Sequence, residues 1–430
     1  MPKVRCLAEV RLWGRTVGAL AESDNGQVAF EYDPAFARGG LEISPFKMPL
    51  AIQGPVTFEE LQRKPAFNGV PGVFADSLPD AFGNLVIGAY YAARGLEALA
   101  MSPVQRLLYV GQRAIGALTY HPEVAIPTRA AEQESLEVAA LVRDARRVVA
   151  GQPDVAVPEI YRIGASAGGM RPKAIVLHAP RTGEIRSGYA KPQPGDVPAL
   201  LKFDGVGDAG GREALSEPAP FNRIEAAYAS MATDAGLDMA DVTVLPGAGG
   251  YAHLLIRRFD IDDQGQRLHQ HTFGGLQHID YNDVGASSYE EYLRACLRLK
   301  LPPAAIEEAY RRMVFNIVAV NQDDHVKNLS FHMSPDGHWR LTPAYDVTFA
   351  KGGLFTGQHQ MRVADKRAGI TRADLAQVGA TFAIKGHHHL IGHVVEVVRR
   401  WPEYAVRADV PQDARRRVEA ELQRRREELG

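Results

Sequence analysis

Two acids and an amide carry the chemistry that this sequence suggests. Asp323 and Asn328 are separated by four residues in Asn321-Gln322-Asp323-Asp324-His325-Val326-Lys327-Asn328, and Asp346 follows in WRLTPAYDVTF, 18 residues after Asn328. A carboxylate such as Asp323 can accept or orient the proton of an attacking hydroxyl. An amide oxygen and a second carboxylate are hard donors that suit magnesium, which bridges and neutralises the phosphates of a nucleotide. The pattern points to phosphoryl transfer. Taken alone, Asp-x-x-x-x-Asn is usually a solvated turn, so its weight comes from what surrounds it.

Upstream, ALLKFDG places Lys202 in a strand-like run, where an ammonium can pair with α- and β-phosphates. Glu225 follows on a predicted helix, FNRIEAAYASMATDAG, where its position would let it orient Lys202, although a surface or core-edge charge is the blander reading. Then come a linking strand, AHLLIRRFDI, the Asp323 to Asn328 loop and Asp346. Lysine, helix glutamate, linking strand, D-x-x-x-x-N and metal aspartate stand in the order of a protein-kinase fold, and this order is far more specific than any member. Tyr345-Asp346-Val347 stands where kinases carry Asp-Phe-Gly, with Asp346 expected at a strand end. The small residues of Gly164 to Lys173 leave backbone N–H groups able to approach an anion. Within that stretch Met170 occupies the place of the Walker A lysine, which argues against a P-loop ATPase, and the glycines do not fall at G-x-G-x-x-G spacing either.

The elements that must position these residues fall into three stretches. Residues 1–125 open with alternating runs (VRCLAEVRLWG, VGALAES, QVAFEYD) that predict strands; capped helices follow near Ser77 and Asp80 and over Pro103 to Val110. Residues 130–260 begin with a predicted helix in ESLEVAALVRDARRVVA and continue as a β-rich lobe carrying one helix. Residues 261–430 are mainly helical. The formal net charge of −2 exerts no global pull toward nucleic acid or membrane, and Cys6 and Cys296 suggest neither a disulfide framework nor a thiolate metal site. With no apolar leader or long apolar run, a soluble cytoplasmic protein is expected. His387-His388-His389 with His393 has an i, i+4 spacing that can bind zinc, but lacks a third ligand, and Arg415 to Glu428 reads as a solvated helix face.

The loop S-x-x-G-x-x-x-K, together with LLKF, RRFD, D-x-H-x-K-N, LTPAYD and FADSLPDAFG, resembles the HipA family of bacterial toxin kinases over most of the chain. The resemblance implies an α+β, protein-kinase-like fold with an extra N-terminal β-rich subdomain, a β-rich nucleotide-binding lobe and a helical C-terminal lobe. It implies ATP and magnesium, and phosphorylation of a protein serine or threonine, in the best-known members of an aminoacyl-tRNA synthetase. Carried over by position, Asp323 is the base and Asn328 and Asp346 the magnesium ligands. Ala167, Gly168, Gly169, Met170, Arg171, Pro172 and Lys173 form the phosphate loop, with Lys202 on the phosphates. Arg257, Arg258 and Phe259 match the adenine-contacting segment, His325 sits beside the nucleotide, and Ser166 matches the self-phosphorylated serine. The loop reads GGMRPK where the founding type reads AGAQEK, and Asp324 replaces a glycine. A small helix-turn-helix antitoxin, HipB, is the implied partner, with operator DNA reached only through it. A small-molecule or lipid kinase of this fold, or a weakly catalytic co-repressor, is the alternative.

Overall fold

In the computed structural model, which describes residues 3–95, 101–126, 135–152, 160, 171–207, 218–353 and 355–430, the alternating runs at the start become strands. They are β1 (Val4–Leu12), β2 (Arg15–Ser23) and β3 (Val28–Tyr32), joined by β4 (Val56–Thr57) and β5 (Leu118–His121) in an antiparallel sheet of order β4-β3-β2-β1-β5. Period-two patterning leaves Val10, Leu12, Leu20 and Phe30 fully buried. A second sheet contains β6 (Lys173–Ala179), β7 (Glu184–Ser187), β8 (Val197–Lys202), β9 (Val242–Pro246) and β10 (Ala252–Arg257), in the order β7-β6-β8-β10-β9.

The chain divides into two compact units. Unit 1 comprises Met1–Ala219, Thr243–His271 and Met333–Gly337, and so holds both sheets; unit 2 comprises Pro220–Val242, Thr272–His332 and His338–Gly430. The unity of the first follows from a shared core. Phe82 and Val86 on the helix Ala81–Ala92, and Leu141 and Val148 on the helix Val138–Val149, form one buried cluster with Val176, Leu201 and Leu255 of the second sheet. Asp80 caps the first of these helices, accepting from the Gly83 N–H at 2.6 Å.

A buried ion pair adds a second tie inside unit 1. Arg258 donates to Asp260 through Nε (3.0 Å) and Nη2 (2.6 Å), and Asp260 also accepts from the Gly116 N–H at 2.8 Å. The guanidinium expected in the adenine-contacting segment is therefore held by a carboxylate two residues away, while Arg257 reaches the exposed Asp263 at 2.7 Å.

Unit 2 contains the helices Phe221–Asp234, Tyr289–Arg298, Pro303–Val318, Arg372–Thr381, His387–Arg399, Trp401–Arg407 and Gln412–Leu429, with the strand Ser330–Met333 as far as His332 and the strand Trp339–Leu341 beside it. The run MVFNIV makes the end of Pro303–Val318 buried on all sides. Such an end leaves carbonyls without helical partners. Arg425, expected on a solvated face, is instead buried and donates to the carbonyls of Ile317 (3.0 Å) and Ile370 (2.6 Å). His387 and His393 bond backbone carbonyls, of Ile384 and Asp234, and among the described residues no group of three or more His, Cys, Asp or Glu side chains could hold a metal. Among the described residues no helix is long and apolar enough to cross a membrane.

Burial works against the charged form of Asp260, but the Arg258 charge and its two hydrogen bonds outweigh it, with help from Arg267 and the Gly116 N–H, and hold the carboxyl down to about 2 against an ordinary 3.8. This carboxylate therefore stabilises the fold above about pH 4, and that contribution is lost as pH falls through about 2. Asp260→Asn leaves Arg258 buried without its counter-charge, which is expected to cost about 3–5 kcal/mol at pH 7 in urea denaturation. The variant should also show a shallower loss of stability than the unsubstituted chain between about pH 4 and pH 2.

Candidate active site

The loop after the helix Pro303–Val318 is shaped by a carboxylate that motif matching would pass over. Asp324 has almost no exposure, and a buried acceptor needs donors. Its Oδ2 accepts from the Tyr289 hydroxyl at 3.0 Å and His359 Nδ1 at 2.9 Å, and its Oδ1 accepts from the Gln360 N–H at 2.7 Å. Facing a carboxylate, His359 carries its proton on Nδ1. Tyr289 also accepts from Asn316 Nδ2 at 2.9 Å, and Asn316 Oδ1 accepts from Asn321 Nδ2 at 3.0 Å, so the chain of bonds returns to the start of the loop. Burial, and next the Asp324 charge, push the Tyr289 hydroxyl well above its usual range, which keeps it a donor.

Its neighbour Asp323 is only half-buried. Gln360 Nε2 donates to Asp323 Oδ1 at 3.1 Å, and Asn328 Nδ2 donates to the Asp323 carbonyl at 2.9 Å. That bond fixes the amide of Asn328 with its nitrogen turned to the loop, which leaves Oδ1 as the atom able to meet a cation. The loop closes locally through the Asn328 N–H on the His325 carbonyl at 2.9 Å.

Asp346 does not end a strand, as its sequence context suggested. The strand Trp339–Leu341 stops short of it, Pro343 cannot donate to a ladder, and Asp346 sits in irregular backbone with φ of +52°. A left-handed aspartate is uncommon enough to mark a constrained position. Its neighbour Tyr345 is tied to the loop, its hydroxyl donating to the Lys327 carbonyl at 2.6 Å and lying 2.5 Å from Ser330 Oγ. Asp346 is thereby brought to the loop, and Asn328, Asp346, Asp324 and His325 line one recess of about 20 Å³. His325 packs its ring 5.4 Å from that of Tyr281, with Lys327 Nζ 5.3 Å from the same ring.

The remaining expected residues divide between described and undescribed positions. Ser166, Ala167, Gly168, Gly169 and Met170 lie outside the described residues. In unit 1, Pro172 and Lys173 are buried and Arg171 is half-buried; Lys173 on β6 stands directly opposite Lys202 on β8. Directly paired residues of an antiparallel ladder present their side chains on one sheet face. Lys173 Nζ donates to Asp80 Oδ2 at 3.0 Å, with both side chains nearly inaccessible. That acid was visible in FADSLPDAFG, but only as a helix cap. Glu225 is buried on the helix Phe221–Asp234 of unit 2.

Asp324→Gly, which restores the residue of the founding family type, removes the acceptor of three buried donors at once. It should lower stability to urea by about 3 kcal/mol or more, since each orphaned buried polar group costs about 1–3 kcal/mol.

Comparisons with known proteins bear on this arrangement. The HipA N-terminal domain family matches residues 8–121, and the HipA-like C-terminal domain family matches residues 165–405. A putative kinase of Haemophilus influenzae is 30% identical over 123 residues, a stretch covering 26% of this chain and 36% of that protein, so the chain matches about a third of this relative's length. Among solved structures, the Shewanella oneidensis MR-1 complex of HipA, HipB and its operator DNA is similar with a TM-score of 0.63 at 17% identity, covering 97% of this chain and 95% of that one. The likeness shows the α+β, kinase-like fold. With the C-terminal match alone covering more than half of its 430 residues, the chain belongs to the HipA family.

Proposed function

We propose that this chain is an ATP- and magnesium-dependent serine/threonine protein kinase acting as the toxin of a toxin–antitoxin pair. The observation that carries the reading is the recess in unit 2, where Asn328 and Asp346 meet beside a half-exposed Asp323 whose backbone carbonyl is tied to Asn328. The donor set fits a hard cation: one amide oxygen, left over after the nitrogen is used, and one carboxylate in strained backbone. Magnesium is commonly held by one or two carboxylates together with substrate phosphates rather than by an all-protein cage.

When bound, the metal would neutralise charge on the transferring phosphoryl group. The chain's own part is positioning. Asp323 would orient the attacking hydroxyl and take up its proton, while Asn328 and Asp346 would hold the cation. Phosphate contacts are proposed for Arg171, Pro172, Lys173 and Lys202, and for Ala167 to Met170 before them. The support for these lies within unit 1, where Lys173 and Lys202 stand opposite each other on neighbouring strands, with the Lys173 ammonium held by Asp80. His325 is proposed beside the nucleotide and Arg257 to Phe259 along the adenine.

The partners proposed are a HipB-like antitoxin and an aminoacyl-tRNA synthetase as substrate, with self-phosphorylation at Ser166. The structural relative is a complex with HipB and operator DNA. A net charge of −2 agrees with DNA reached through the antitoxin rather than directly.

Incubation with labelled ATP and magnesium, followed by mapping of phosphate by mass spectrometry, tests the reading. Phosphate is expected on Ser166, abolished by chelation of the metal and reduced at least about 100-fold in Asp323→Ala, since a positioned base contributes about 10²–10⁴-fold. ATP binding with no phosphate transferred to any protein residue would favour the small-molecule kinase or the co-repressor instead.

A further inference from the structure

The geometry points to Gln360 as a positioning residue that sets the rotamer of Asp323, so that one carboxylate oxygen is held by the protein and the other faces the substrate hydroxyl. The inference rests on the kinase reading above and adds to it a residue outside every motif that suggested that reading. Gln360 lies 32 residues after Asn328 and 14 after Asp346, in GQHQM, a stretch with no catalytic signature.

Gln360 reaches both acids of the loop. Its main-chain N–H donates to Asp324 Oδ1 at 2.7 Å and its side-chain Nε2 to Asp323 Oδ1 at 3.1 Å. The backbone that carries it is itself held. The Gln360 carbonyl accepts from the Gly285 N–H at 2.9 Å, the His359 N–H donates to the Arg367 carbonyl at 3.1 Å, and Arg367 Nε donates to the His359 carbonyl at 2.7 Å. His359 Nδ1 adds its own bond to Asp324 at 2.9 Å. The amide donor is thus delivered from a segment that cannot shift without breaking several hydrogen bonds.

The other half of the same amide finds no partner among the protein's own groups. Gln360 Oε1 is buried and has no hydrogen-bond partner. An orphaned buried oxygen is unfavourable and calls for an explanation. The explanation here is that the amide is turned to serve Asp323, a carboxylate that is half-exposed and would otherwise rotate and be hydrated. A base misplaced by about 1 Å can cost on the order of 100-fold in rate, so an orienting bond at this position has a large effect to exert.

Gln360→Met tests the assignment, because methionine keeps the length of the side chain and the main-chain N–H to Asp324 but removes both the donor and the orphaned oxygen. Steady-state phosphate transfer should show kcat reduced about 10- to 100-fold with KM for ATP changed less than about twofold. The thermal midpoint should be unchanged or raised, since water can replace the donor on half-exposed Asp323 while a buried orphan is removed. Gln360→Glu, which sets a second carboxylate against Asp323 Oδ1, should lose more activity than the methionine variant. A folded Gln360→Met with unchanged kcat overturns the assignment, as does a fall in kcat accompanied by a lowered midpoint and raised KM, which would mark a merely structural residue. No transfer by the unsubstituted chain would remove the kinase reading and this inference with it.

Discussion

The buried carboxylate of Asp324 is the constraint on which the candidate site depends. A charge taken out of water inside unit 2 must be matched by donors, and it draws three of them from two places far apart in the chain: Tyr289 at the start of one helix, and His359 and the Gln360 N–H in a segment without regular structure. Through Tyr289 the network continues to Asn316 and Asn321. Low local dielectric strengthens every bond of such a network and raises the cost of breaking any one. The shape of the loop therefore follows from the packing of unit 2 and not from the loop's own sequence.

Adjacent acids thereby take different tasks. Alternation of the backbone turns Asp324 inward, where it organises, and leaves Asp323 half-exposed, where it can meet a substrate. Asn328 is oriented by the bond its nitrogen makes to the Asp323 carbonyl, and Asp346 is brought in by the two contacts of the Tyr345 hydroxyl. Asp323 is held by Gln360, Asn328 by the Asp323 main chain, and Asp346 follows a tyrosine tied to the loop. Supporting residues of this kind are what keep a site in productive geometry.

Unit 1 shows the same economy with ion pairs. Lys173 and Lys202 stand opposite each other across β6 and β8, and Asp80, already engaged as a helix cap, supplies the counter-charge for Lys173. Arg258 and Asp260 neutralise each other in the buried segment after β10, where Gly116 adds the third bond. Together with the core shared by the helix Ala81–Ala92 and the second sheet, these contacts explain why the β-rich start and the expected nucleotide-binding stretch cluster as one unit.

The sequence by itself determined what depends on short range. Alternating apolar residues marked β1 to β3, three- and four-residue spacing marked the helices of unit 2, and Asp80 marked a helix start, because periodicity and caps act over one or two turns. The order of Lys202, Asp323, Asn328 and Asp346 was legible for the same reason, since residue types and their spacing are written along the chain. What only the tertiary structure decided was how each is held. Asp324 read as an odd replacement for glycine, Arg425 as a solvated charge and Gln360 as nothing at all, yet all three are buried and bonded across long stretches of chain. Asp346 was expected to end a strand but lies in left-handed backbone beside Tyr345, which is tied to the Lys327 carbonyl. Partners brought together only by packing leave no spacing in the sequence, and a polar residue's burial depends on which partners the fold supplies.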